Sequence, residues 1–214
     1  MGGNKINAER GGSMHFNLRT PISEDDIRKL KVGNIVYLTG TLFTARDLAH
    51  KRICQYLKES RKLPFNLNGL ALFHCGPLVK KVDDQWIAVA AGPTTSMRME
   101  PFEHEIIEKL GVRFIIGKGG MGEKTRIAMM KNGSAYGVFT GGAAVLASKY
   151  IKRVVGVEWM DLGMPEAVWT FEVKNFGPLV IAIDSHGGDL FEKTIKEAED
   201  RKARIFRSLT GNKL

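Results

Sequence analysis

The sequence predicts a single α/β domain with Gly/Thr-rich loops at its strand carboxyl ends. Short apolar runs, such as residues 35–38, 112–116 and 179–183, alternate with stretches whose apolar residues recur at helical spacing. The joints between them are rich in glycine and hydroxyls: Thr39-Gly-Thr-Leu-Phe-Thr, Gly92-Pro-Thr-Thr-Ser, Gly117-Lys-Gly-Gly-Met-Gly and Thr140-Gly-Gly-Ala-Ala. A chain of 214 residues, 43% of them hydrophobic, buries one substantial core without requiring a second.

Residues 1–13 are polar, Gly-rich and aperiodic, and are expected to be a disordered or appended leader, with Met14 as a natural start. Residues 14–214 then form the domain. Ser23 caps a short helix over 23–30, and a strand follows at 35–38. The segment 45–60 carries Leu48, Ala49, Ile53, Tyr56 and Leu57 at helical spacing. Thr44 is its expected N-cap, and Asp47 the expected capping-box partner. Strands over 69–74 and 86–91 bracket residues 79–82, and Asp83-Asp84 signals a turn, so this part reads as a β-rich insertion. A helix with Phe102, Ile106, Ile107 and Leu110 stops at Gly111. Strand, loop and helix recur through 112–131 and again through 135–150. Strands at 154–159 and 179–184 precede a basic C-terminal helix.

The net charge of +9 suits an acidic partner, a nucleic acid or a small anion. In the tail, Lys193, Lys196, Arg201, Lys202, Arg204 and Arg207 alternate with Glu192, Glu197, Glu199 and Asp200, the pattern of a solvated helix face rather than a nucleic-acid site. No apolar run approaches the ~20 residues of a membrane helix and no signal peptide is recognisable, so a cytoplasmic, membrane-free protein is expected. Cys54 and Cys75 make neither a CxxC site nor a disulfide framework.

Three loops hold candidate chemistry. In Thr44-Ala-Arg-Asp-Leu-Ala-His50, the i,i+4 spacing puts Arg46 and His50 on one face near a helix amino terminus, where a carboxylate is favoured. The alternative is a solvated surface pair. In Gly92-Pro-Thr-Thr-Ser-Met-Arg98, three hydroxyls and an arginine exceed what a helix start requires, which points to an anion site around Thr94, Thr95 and Arg98. Gly117-Lys-Gly-Gly-Met-Gly lacks the Walker A ending. Its glycines, Gly119 among them, allow close backbone approach, and Lys118 adds a compact charge. The loop at Thr140 reads as structural. Three cations on three loops at one end of a sheet suit a dicarboxylate better than a polyanion.

The ordered motifs TGTLFTARDLAH, GPTTSMRM, IGKGGMG, FTGGAAVLA, DLGMPE and Phe176-Gly-Pro-Leu resemble those of the class I fumarase and L-tartrate dehydratase β-subunit family, over about residues 14–191. The resemblance implies a swivelling β/β/α domain and a separate α subunit holding a [4Fe–4S] cluster, with no metal held by this chain. It implies substrate binding by Arg46, Arg98 and Lys118, with Thr95 and Gly119 beside them and Thr44 and Asp47 in support. It implies Thr94 as the group removing a proton from substrate and His50 as a second catalytic candidate. Asp47 is then an orienter of His50 or a partner of Arg46. Reversible hydration of fumarate to L-malate is the expected reaction, dehydration of L-tartrate to oxaloacetate the next, and a non-catalytic binding or assembly module the rival. A homo-oligomer of αβ units is the expected assembly.

Overall fold

A computed structural model describes residues 7–8 and 14–210. The chain opens with β1 (Asn7–Ala8), β2 (Met14–Arg19), α1 (Glu24–Arg28), β3 (Ile35–Thr44), α2 (Asp47–Lys58) and β4 (Ala71–Phe73). A hairpin of β5 (Leu78–Val82) and β6 (Gln85–Ala90) leads through a 3₁₀ turn (Ser96–Met99) into α3 (Glu100–Leu110). Next come β7 (Phe114–Gly117), α4 (Glu123–Asn132), β8 (Ala135–Val138) and α5 (Ala144–Lys149). The last elements are β9 (Ile151–Glu158), a 3₁₀ turn (Met160–Leu162), β10 (Val168–Ile183) and α6 (Leu190–Thr210).

Strands β2, β3, β4, β7 and β8 lie parallel in that order. The long β10 runs antiparallel to β8 on one side and to β3 on the other, which curls β3, β4, β7, β8 and β10 into a partly barrel-like sheet. Period-two alternation divides the core between its two faces. Phe73, Phe114 and Ile116 point to one side and pack with Phe139, Phe176 and Trp169. Leu72 and Ile115 point to the other, against Ala49 and Ile53 of α2, Ile106 and Ile107 of α3, and Ala128 and Met129 of α4.

The parallel register positions the site. Thr44 pairs with Phe73, and Phe73 with Ile116, so β3, β4 and β7 end in one row. The chain leaving that row carries Arg46, His74 and Lys118. The segment after β6 then wedges between the ends of β4 and β7. Cys75 bridges Pro93, Thr95 bridges Lys118, and the Ser96 amide donates to the Lys118 carbonyl at 3.0 Å.

Several expectations hold and others need correction. Ser23 caps α1 by accepting from the Asp26 amide, Gly111 ends α3 in the left-handed region at φ 67°, and Asp83-Asp84 turn the β5–β6 hairpin with positive φ. The expected helix cap at Thr44 is replaced: Thr44 ends β3, buried, and its hydroxyl accepts from the Trp169 amide at 3.1 Å. Strand β3 runs six residues past Leu38 because β10 supplies a second partner through Phe43. The early part of β10, from Val168, was not anticipated. The leader expected over residues 1–13 lies outside the described residues except for β1, which pairs antiparallel with β2. The structure presents one continuous main sheet plus a hairpin, a mixed α/β architecture. Among the described residues, no helix is long and apolar enough to cross a membrane.

Candidate active site

Arg46 is the residue before α2 and makes no side-chain cap there. Its Nε donates to Asp47 Oδ2 at 3.4 Å and lies 2.8 Å from Glu166 Oε1 in an ion pair. The other oxygen of Glu166 accepts from the Leu48 amide at 2.8 Å, so Glu166 does the capping expected of Thr44. Gly76 makes room for this corner, since a Cβ there would lie 2.7 Å from Arg46 Nη1 and 2.8 Å from the Pro165 carbonyl.

Arg98 grips the carboxylate of Asp47 with two donors, Nε to Oδ1 at 2.8 Å and Nη2 to Oδ2. Two guanidiniums, from α2's entry and the 3₁₀ turn, therefore converge on one carboxylate. Burial alone would raise the Asp47 carboxyl, but the hydrogen bonds from Arg98, its charge and the contact with Arg46 hold it below its ordinary value. Asp47 is thus the partner of both arginines and makes no contact with His50. Lys118 is exposed and has no ion pair among the described residues, while its backbone is tied to Thr95 and Ser96. Gly119 is exposed at φ 73°, a conformation glycine adopts without strain, and its carbonyl accepts from the Tyr136 hydroxyl at 2.9 Å.

None of the three hydroxyls in the Thr94 turn caps a helix. Thr95 is exposed at the N-cap position and makes no side-chain cap bond. Ser96 is buried and its Oγ contacts His74 Nδ1 at 2.9 Å. Thr94 is half-buried, its amide donates to the His74 carbonyl at 2.6 Å, and its hydroxyl has no hydrogen-bond partner among the described residues. A hydroxyl held by its backbone but left unspent is available to a ligand.

His50 is placed otherwise than a direct proton acceptor requires. It is fully buried under α2, with Nδ1 2.9 Å from the Arg46 carbonyl and Nε2 3.0 Å from Glu103 Oε2. The same carboxylate oxygen lies 2.8 Å from His74 Nε2. His50, His74 and Glu103 could each offer a metal a ligand. Glu103 Oε2, however, lies at hydrogen-bond distance from both ring nitrogens, 3.0 and 2.8 Å, whereas tetrahedral zinc ligands stand about 3.3 Å apart around the ion. Burial would raise the Glu103 carboxyl, yet His74 and His50 together hold it down to about 2. Burial lowers His74 despite the pull of Glu103.

Sequence reading missed Glu103, His74, Ser96, Tyr136 and Glu166. Glu166 lay within the quoted DLGMPE motif, and Ser96 within GPTTSMRM. Gly117 carried a signal too: a Cβ there would meet Ser96 Oγ at 1.9 Å and both His74 Nδ1 and the Tyr136 hydroxyl at 3.2 Å, so this glycine marks a crowded polar crossing. A cleft of about 830 Å³ opens between α6 and the loop after β7, lined by Met97, Met121, Arg126, Phe191 and Ile195. The clamp cations are not among its lining residues. Ionic geometry rather than concavity marks the site.

Residues 4–194 match the profile of the family described as Fumarase C-terminus. The chain belongs to this family. It is 44% identical over 192 residues to the L(+)-tartrate dehydratase subunit beta of Escherichia coli K12, covering 90% of this chain and 94% of that one. A putative L(+)-tartrate dehydratase subunit beta of Methanocaldococcus jannaschii is 46% identical over 181 residues, 84% of this chain and 93% of its own. A putative class I fumarate hydratase of Geobacillus stearothermophilus is 41% identical over 189 residues, 88% of this chain but 36% of its own length. These family members are hydro-lyases or hydro-lyase subunits.

The buried histidine gives the chain an acid limit. An imidazole whose folded pKa is depressed contributes no penalty above the unfolded value near 6.5 and destabilises the fold as pH falls below it, by roughly 1.4 kcal/mol per pH unit. Glu103, also depressed, adds loss in the same direction between 4.5 and about 2. The urea midpoint is expected to fall between pH 6 and 4.5, and His74→Gln is expected to flatten that fall. An unchanged slope in the variant would place the acid limit elsewhere.

Proposed function

We propose that this chain is the β subunit of a hydro-lyase that dehydrates L-tartrate to oxaloacetate, and that it supplies the carboxylate clamp and the proton-removing group. The observation that carries the reading is the meeting of Arg46 and Arg98 on the Asp47 carboxylate, in the same strand-end cluster as the unpartnered Thr94 hydroxyl. A substrate carboxylate takes the fork that Asp47 occupies in the free chain, and Lys118 serves the second carboxylate. Thr94 removes the proton from a substrate carbon, the hydroxyl on the neighbouring carbon leaves as water, and the resulting enol becomes the ketone of oxaloacetate.

Tartrate replaces fumarate as the preferred substrate. The two β-subunit relatives of matching length bear the tartrate name, whereas the fumarase relative aligns over a minor part of its own length. Fumarate hydration is the second reading, resting on that relative.

The group that activates the leaving hydroxyl belongs to the proposed α subunit. Cys54 and Cys75 do not fit an iron–sulfur cluster. Both thiols are buried, on separate elements, and burial pushes Cys54 up to about 12 and Cys75 upward as well, so neither is a thiolate at neutral pH. The clamp also lies open: Arg98 is about half exposed, and Leu48 and Met97 beside it expose apolar side chains. A half-site of this kind suits a lobe that swings over a partner. Assembled anaerobically with its α subunit, the chain is expected to turn over L-tartrate in preference to fumarate and to be colourless and inactive alone. Turnover of fumarate alone would reverse the substrate assignment, and activity or bound iron in the isolated chain would overturn the half-site reading.

A further inference from the structure

One buried run of polar side chains is left unused by this reaction. From the Arg46 carbonyl it passes through His50, Glu103 Oε2, His74 and Ser96 Oγ to the Tyr136 hydroxyl, 2.9 Å from Ser96. Every side chain in it, that of Tyr136 included, belongs to a residue with no solvent exposure. A run this enclosed fixes its own protons, because each contact needs one hydrogen and each atom has a known capacity.

The carbonyl of Arg46 and the Glu103 carboxylate can only accept. Both nitrogens of His50 therefore donate, and the ring is an imidazolium. His74 faces the same carboxylate through Nε2, so that nitrogen also carries a hydrogen. Burial disfavours a second positive ring, which leaves His74 neutral with a lone pair on Nδ1. Ser96 donates to that lone pair, and the one hydrogen of Tyr136 is shared between Ser96 Oγ and the Gly119 carbonyl, both at 2.9 Å. Other titratable groups facing the trio are Asp47 and Cys54 on α2 and Tyr136 on β8. The Cys54 thiol and the Tyr136 phenol are both pushed up and stay neutral, so Asp47 is the one of them that is charged near neutrality, and it favours a cation.

We infer that Glu103 is a positioning residue: it holds His50 as a buried imidazolium, and the Glu103-centred trio locks the Arg46 corner to the Thr94 turn. The link on one side is the bond between the His50 ring and the Arg46 carbonyl. On the other side His74 binds Glu103 through its ring and the Thr94 amide through its carbonyl. One carboxylate thus sets the spacing between a clamp arginine and the proposed base. The orphan Glu103 Oε1 is the cost: it is buried with no partner, and the two imidazoles on its sister oxygen keep the carboxylate ionised. The placement rests on the hydro-lyase reading only in naming what is positioned.

The test uses the chain labelled with ¹⁵N-histidine. At pH 8, where a free imidazole is neutral by roughly thirty to one, one ring is expected to keep the ¹⁵N pattern of an imidazolium, absent in His50→Asn, and another that of a neutral Nε2–H tautomer. In Glu103→Gln the first ring is expected to become a neutral Nδ1–H tautomer, and malonate affinity to fall at least fivefold. Glu103→Asp, which keeps the charge but shortens the reach, is expected to retain the imidazolium and still bind malonate more weakly. A neutral His50 in the wild type at pH 8, malonate affinity unchanged in both variants, or a stoichiometric divalent metal in the purified chain would each overturn the inference. These signals need neither partner nor substrate. If they appear as expected while the assembled enzyme dehydrates nothing, the positioning trio stands and the hydro-lyase reading falls.

Discussion

Thr94→Ala in the assembled enzyme is expected to cut turnover roughly 10²–10⁴-fold, the usual scale for losing a general base, while substrate affinity stays within a few-fold. The substitution removes only the hydroxyl, and that hydroxyl holds up nothing else: it makes no cap and no hydrogen bond among the described residues. The Thr94 amide, which fixes the turn against His74, is untouched. A stability change is therefore not expected, and a loss of turnover reports chemistry. A threonine hydroxyl is a weak base, and it needs the positive field of Arg46, Arg98 and Lys118 to favour its deprotonated form. Steady-state kinetics on the variant check the expectation. Near wild-type turnover would remove Thr94 from the reaction. His50→Asn is expected to behave differently, because its ring has no nitrogen open to substrate: the effect should fall on substrate binding and on stability together.

The strand-end loops were legible because glycines and hydroxyls punctuate a parallel sheet in sequence, and the register of Thr44, Phe73 and Ile116 does align their ends. The arginine pair was legible as well, since guanidinium positions follow from local motifs. What was not legible depended on distant partners. Thr44 satisfies every local rule for an N-cap, yet β10 offers it the Trp169 amide, and a carboxylate 118 residues beyond Leu48 takes over the cap. Glu103 looks like an ordinary acidic residue in the first turn of a helix, and its burial against two histidines arises only when α2, α3 and β4 pack together. His50, expected beside Arg46 at a ligand face, lies buried against Glu103, because i,i+4 spacing from Arg46 says which helix face it shares and not which face is solvent.

Arg98→Lys and Asp47→Asn are expected to move ligand affinity in opposite directions. Lysine keeps the charge of Arg98 but loses the two-pronged geometry, so kcat/KM for the dicarboxylate should fall roughly 10–100-fold, the range for a lost charge-assisted hydrogen bond. Asparagine at 47 keeps the shape of the native partner but no longer neutralises the fork. It also removes a negative charge that repels an incoming carboxylate. The isolated Asp47→Asn chain should therefore bind malonate severalfold more tightly than wild type, and Arg98→Lys more weakly. Part of the gain should vanish at high salt, because Arg98 and Asp47 are both substantially exposed and their interaction is screened. Isothermal titration of the three chains at two ionic strengths provides the measurement. Weaker malonate binding in both variants would mean that Asp47 orients the arginines for substrate rather than occupying its place, and the clamp would then be read as a fixed triad instead of a fork that exchanges one carboxylate for another.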